Sequence, residues 1–178
     1  MTADSGSSSV HLRDATPADV GGLARLHVLT FNETHGPGPD SAVREQQWHS
    51  WFESLDSRRF CVVLETEHAE LVGFARGQPH TDAELADFGG ELNKIYLLRA
   101  YHRQGLGRRL LCASARRFLE RGISSMLLFG DARSPTNRFY EAMGAERLYA
   151  PNGDFHGGYG WRDLTALVSA HCARSAGE

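Results

Sequence analysis

An apolar run from Glu91 to Leu98 leads through a Gly-x-Gly turn, Gly105 and Gly107, into a stretch whose apolar side chains recur at three- and four-residue steps. Any fold for this chain must therefore seat a strand, a glycine turn and an amphipathic helix in close succession. The first N–H groups of such a helix have no carbonyl partners, the helix dipole adds positive charge there, and glycine lets a ligand approach the backbone. The segment reads as a cradle for a phosphate or pyrophosphate. A dinucleotide fingerprint would place a third glycine three residues after Gly107, where Leu110 stands, and then an acidic residue for the ribose. A P-loop needs Gly-Lys-Ser/Thr, which the chain lacks.

Around this core the pattern alternates. Val10 to Asp14 reads as a first strand, and Thr16 with Pro17 opens a helix that stops near residues 36–39. A second helix starts at Asp40 or Ser41 and carries Trp48, Trp51 and Phe52 on one face, a spacing that suits a core better than a substrate cage. Residues 59–65 and 70–76 form a hairpin pattern, 78–90 an acidic loop, and 105–121 a helix ended by Gly122. Then come a short buried strand at 124–130, a helix at about 136–143 ended by Gly144, and strands at 146–149 and about 158–164. Hairpins early and crossovers late make a mixed α/β (α+β) fold.

Two blocks carry a resemblance. His102-Arg103-Gln104-Gly105-Leu106-Gly107 is similar to the acyl-CoA-binding motif of the GNAT N-acetyltransferase family, a Gln/Arg, two residues, Gly, one residue, then Gly or Ala. His102 stands in the Gln/Arg place. Some thirty residues on, Ser134 to Ala145 resembles the family's Asn-Pro-x-x-x-Phe-Tyr-x-x-x-Gly helix, with Ser134 in the Asn place. The resemblance spans about residues 10 to 165. It implies a central, mostly antiparallel twisted sheet flanked by helices and splayed between its fourth and fifth strands. The chain then divides into a disordered tail at 1–9, one GNAT-like domain at 10–165 and a C-terminal tail at 166–178.

A net charge of −3 gives no general drive toward nucleic acid or anionic membrane. The local run Arg103, Arg108, Arg109, Arg116, Arg117 and Arg121 reads as the charged solvent face of an amphipathic helix, without the aromatic interleaving of a nucleic-acid binder. Cys61, Cys112 and Cys172 are odd in number and widely spaced, so neither a disulfide framework nor a zinc site is expected, and a reducing interior is the simpler context. The histidines show no metal-binding spacing, so no metal is expected. No stretch is long and apolar enough to span a bilayer, and the start lacks the regions of a signal peptide, which gives a cytoplasmic expectation.

The resemblance implies transfer of the acetyl group of acetyl-CoA to a primary amine, small molecule or peptide, by direct attack in a ternary complex. The backbone of Arg103, Gln104, Gly105, Leu106, Gly107 and Arg108 would hold the pyrophosphate, with His102 and Ser134 beside the cofactor, and Ile95, Tyr96 and Leu97 would pair strand-like with pantetheine. Glu91 is the candidate base and Tyr140 the candidate acid for the leaving thiolate; His80, Asp87 and His156 are weaker substitutes for the base. By the same resemblance Phe31 and His35 flank the acceptor pocket, and a homodimer is compatible with the fold. The acidic loop residues Asp82, Glu84, Asp87 and Asp154 lean toward a cationic acceptor. The alternative is a CoA-binding sensor or interaction module with the same fold and little catalysis.

Overall fold

The computed structural model describes residues 9–54 and 56–172. Most of the expected N-terminal tail, and residues 173–178 of the expected C-terminal tail, lie outside them. In chain order the elements are β1 (Val10–Asp14), α1 (Val20–His35), α2 (Ser41–Phe52), β2 (Phe60–Thr66), β3 (Leu71–Pro79), β4 (Gly90–Leu97), α3 (Leu106–Glu120), β5 (Met126–Phe129), α4 (Asn137–Ala142), β6 (Glu146–Tyr149), β7 (Phe155–Trp161) and α5 (Leu164–His171). The strands form one mixed sheet in the order β1-β2-β3-β4-β5-β7-β6. The β1/β2, β5/β7 and β6/β7 pairs are antiparallel and the β4/β5 pair is parallel. This is the expected fold, including the splay: β4 and β5 are in register only at Gly90↔Met126 and Glu91↔Leu127, although both strands run on.

The chain divides into two compact units and crosses between them inside β2, β3, β4 and α3. Of the described residues, the first takes 9–54, 62–74 and 96–110. Its core joins Leu23, Ala24 and Leu26 of α1 to Trp48 and Trp51 of α2, Val62–Leu64 of β2, and Val72 and Phe74 of β3. Trp48 is 1% exposed and meets the Phe74 ring edge-on at 5.3 Å, so the tryptophans are core, as their spacing suggested. Asp40 caps α2 by accepting from Val43 N. Arg13 of β1 grips the Asp19 carboxylate with both Nη atoms at 2.8 Å, and also pairs with Glu65 of β2. Arg109 donates to the Val10 carbonyl at 2.7 Å, tying α3 to β1.

The second unit takes residues 56–61, 75–95 and 111–172 of those described. Leu111, Ala115 and Phe118 of α3, Met126–Leu128 of β5, and Tyr159 and Trp161 of β7 are among its buried apolar residues. Two glycines make room for one ring: a Cβ on Gly90 would sit 2.6 Å from Phe118 Cε1, and one on Gly77 would collide with Phe60 and Phe118. That packing explains one departure from the sequence expectation. β3 continues through Gly77 to Pro79, past the strand end expected at residue 76 and into the acidic loop expected from 78, so Gln78 belongs to a strand.

A second departure is at the C-terminus, where α5 follows β7 and Asp163 caps it by accepting from Thr165 N and Ala166 N. A third concerns the cysteines. Cys112 of α3 and Cys172, just after α5, are joined in a disulfide across 60 residues of sequence, with Cα atoms 5.6 Å apart; Cys61 is buried and not bridged. Arg116 holds the same corner by donating to the Cys172 carbonyl at 2.6 Å. Spacing along the chain could not show this pairing, because the turn of α5 back onto α3 is what brings the two residues together. The expectation of unpaired thiols is corrected, and with it the argument from cysteine usage for a reducing compartment. Among the described residues no helix is long and apolar enough to cross a membrane.

Candidate active site

In the first unit the sequence-read cradle takes a definite form. β4 ends at Leu97, a short 3-10 turn occupies Arg99–Tyr101, and α3 starts at Leu106. Between them Arg103 has φ +64° and Gly105 φ +77°, the left-handed region that a non-glycine residue such as Arg103 occupies only at some cost. Left-handed residues of this kind recur in anion-binding nests. Among the described residues, none of the N–H groups of 103–108 donates to a carbonyl; the first amide to do so is Arg109 N, to Gly105 O at 3.1 Å. No heavy atom lies within 4 Å of the place a Cβ would take on Gly105, so the space beside that glycine is open. Side chains brace the turn from behind. His102 Nε2 lies 2.9 Å from Leu97 O, and Gln104 donates to Ala100 O at 3.2 Å. The departure at His102 thus has a local role in closing the loop onto the end of β4. Tyr96 and Leu97, on the same strand, are half-buried.

In the second unit Glu91 stands at the point where the β4/β5 ladder ends. Its carboxylate is 23% exposed and faces three side chains. Gln78 Nε2 approaches Oε2 at 3.4 Å, Asn93 Nδ2 approaches Oε1 at 3.3 Å, and His80 Nδ1 is 3.9 Å from Oε2. Arg76 in turn donates to Asn93 Oδ1. The His80 ring is 5% exposed and its Nε2 has no hydrogen-bond partner. Gln78 and Asn93 went unnoticed in the sequence. Their signal was the two-residue alternation of Arg76, Gln78 and His80 beside that of Glu91 and Asn93, hidden because the third strand was ended at Arg76. Ile95, further along β4, is half-buried.

The other candidates of this unit gather around α4. Tyr140 is buried, its ring 5.6 Å from Tyr159 and 6.3 Å, edge-on, from Trp161. The neighbouring phenol of Tyr159 donates to Glu141 at 3.0 Å, and burial pushes its pKa up, with the Glu141 charge adding to the effect. Arg147 holds the Glu141 carboxyl below its usual range. Ser134 Oγ accepts from Thr136 N at 3.2 Å, and Asn137 ties the preceding loop to α4 by donating to Asp131 O and Ala132 O. Ser134, Asn137, Arg138, Glu141 and Arg147 line an open cavity of about 470 Å³. Three acidic loop residues are already engaged nearby: Asp87 with Arg162, Asp82 with Glu84 N, and Asp154 with Asn152.

A profile described as the acetyltransferase (GNAT) family matches residues 23–145. An uncharacterised N-acetyltransferase of Bacillus subtilis strain 168, YuaI, is 32% identical over 167 residues, covering 89% of this chain and 96% of the relative. Among solved structures, yncA of Salmonella typhimurium, described with its cofactor acetyl-CoA, superposes with a TM-score of 0.66 at 17% identity, over 96% of this chain and 100% of that one. The PaiA N-acetyltransferase of Thermoplasma acidophilum, in complex with coenzyme A, does so with a TM-score of 0.62 at 16% identity, over 85% and 98%.

Proposed function

Because this chain belongs to the acetyltransferase (GNAT) family, and is thus an acyltransferase, we propose that it moves the acetyl group of acetyl-CoA directly onto a primary amine, small molecule or peptide, held in the same complex. The observation that carries the cosubstrate assignment is the run of N–H groups at 103–108, which have no carbonyl partners among the described residues, with open space beside Gly105. That arrangement suits a pyrophosphate, whose oxygens accept several main-chain hydrogen bonds at once. Acetyl-CoA supplies an acyl group activated as a thioester.

The remaining work falls to side chains. An alkyl amine with a pKa of about 10.4 is neutral in roughly one molecule in a thousand at pH 7, and only the neutral form has a lone pair to attack with. In this reading Glu91 takes the proton from the amine, with Gln78 and Asn93 holding its carboxylate in place. Tyr140 gives its phenolic proton to the sulfur as the carbon–sulfur bond breaks, and a new carbon–nitrogen bond has then replaced the thioester. Ser134 and His102 are assigned to the cofactor side.

Thermal unfolding with and without acetyl-CoA tests the reading, on the parent, on Gly105→Ala as a control for backbone strain, and on Gly105→Glu. Ligand at 100 times its Kd should stabilise by about 2.7 kcal/mol. The stabilisation should persist in the alanine variant and vanish in the glutamate one, and free CoA thiol should then be released with a suitable amine. A parent that binds acetyl-CoA and releases no thiol with any amine would favour a CoA sensor. No shift in the parent at saturating acetyl-CoA would refute the cosubstrate assignment.

A further inference from the structure

Arg44, on α2, is 7% exposed, and a guanidinium stays charged under all conditions in which a protein folds. Other arginines of the described residues that make contacts inside the fold, none of them as buried as Arg44, have obvious partners. Arg109 and Arg116 donate to the carbonyls of Val10 and Cys172, and the half-buried Arg13 is matched to Asp19 and Glu65. Arg44 has no carboxylate within ion-pair distance among the described residues. One nitrogen, Nη1, donates to the neutral amide oxygen of Gln47 at 3.0 Å, and the guanidinium carbon lies 5.0 Å from the centre of the Phe31 ring. Nε is buried without a hydrogen-bond partner, and Nη2 makes no hydrogen bond among the described residues. A buried charge without a counter-charge is costly, and it persists where something outside the folded chain repays it.

The edge left over decides what that something is. Nε and Nη2 are the two parallel donors with which arginine grips a planar carboxylate. The surroundings suit the same group. Phe31 covers the guanidinium, and Tyr96 contributes a half-buried phenol whose pKa is raised by burial and drawn back by the nearby charge of Arg44, so the hydroxyl remains a donor at neutral pH. We propose that the Nε–Nη2 edge of Arg44, roofed by Phe31, is a carboxylate-binding site, and that the acceptor amine is an amino acid held there by its acid group. Calling the bearer of the carboxylate the acceptor rests on the acetyltransferase reading above; the carboxylate site itself does not.

The experiment compares proteinogenic amino acids with their primary amides, on the parent, Arg44→Lys and Arg44→Met. Two readouts are taken: release of CoA thiol from acetyl-CoA, and the melting shift each compound produces without acetyl-CoA. For the best amino acid, kcat/KM in the parent should exceed that of its amide by about tenfold to a hundredfold. The ratio should collapse toward one in Arg44→Met and only partly recover in Arg44→Lys, which lacks the fork. Arg44→Met should also melt higher than the parent without ligand, because it removes a charge that no carboxylate among the described residues balances. Amides used as well as acids by the parent, or an unchanged ratio in Arg44→Met, would overturn the proposal. So would a lower melting point of ligand-free Arg44→Met, which would make Arg44 a structural cation. If no amine is turned over, the melting shifts decide alone: stabilisation by free amino acids but not amides, lost in Arg44→Met, supports the site, and no such preference refutes it. Failure of acetyl-CoA itself to bind would instead count against the acetyltransferase reading.

Discussion

At the scale of single residues, Glu91 and Tyr140 separate chemistry from stability. Glu91→Gln keeps the shape of the side chain among Gln78, His80 and Asn93 but removes its capacity to take a proton. Tyr140→Phe keeps the ring between Tyr159 and Trp161 and removes the phenolic proton. Each variant should lose about a hundredfold or more in kcat while its melting temperature and acetyl-CoA shift stay near the parent's. Steady-state kinetics alongside melting curves checks this, and a kcat within twofold of the parent would remove the residue concerned from the mechanism. Asp19 makes a different kind of prediction. Hydrogen bonds from Arg13 hold its carboxyl below the usual range. Such a group adds stability that is fully present above its unfolded pKa, near 3.9, and is lost as pH falls through the folded value. Asp19→Asn should therefore cost about 0.5–1 kcal/mol at pH 7, the modest range of a partly exposed pair. The gap from the parent should close as pH drops below the ordinary carboxylate range; a gap that stays constant with pH would mean the charge is not its source.

At the scale of elements, β4 and α3 meet through a glycine. With a Cβ on Gly90 only 2.6 Å from Phe118 Cε1, Gly90→Ala forces either the fully buried Phe118 ring or the strand to move. Overpacking of this kind costs about 1–3 kcal/mol, readable as a fall in denaturation midpoint, and a neutral result would show that the ring has room to turn. The elements also mark where sequence reading worked. The helix at 106–120 was legible because its apolar period and its glycine start agree, and Asp40 announced α2 as a cap should. The end of β3 was not legible. Gly77 and Pro79 look like breakers in one dimension, and only the rings of Phe60 and Phe118 filling the space beside Gly77 explain why the strand goes on. That extension carries Gln78 up to Glu91.

For the molecule as a whole, the Cys112–Cys172 bridge is a covalent constraint that closes about 60 residues of chain. In the chain-entropy account a loop of that length is worth up to about 4 kcal/mol. Full reduction, verified by thiol titration, should lower the melting temperature, and the double Cys112→Ser, Cys172→Ser variant should melt at the reduced protein's temperature in either condition. Equal melting of oxidised and reduced parent would mean that the packing of α5 and the hydrogen bond from Arg116 to the Cys172 carbonyl hold that corner unaided.

The amino-acid sequence by itself determined what local chemistry can determine: where most of the helices and strands lie, where a glycine turn opens a helix, and which family the motif order belongs to. These follow from side-chain period and backbone freedom, which depend on near neighbours in the chain. Tertiary structure alone decided that Cys112 meets Cys172, that Gln78, His80 and Asn93 surround Glu91, and that Arg44 is buried beside Phe31 and Gln47 with no carboxylate at ion-pair distance among the described residues. Each of those is a meeting of residues far apart in sequence or a charge's removal from water, and both depend on how the elements pack.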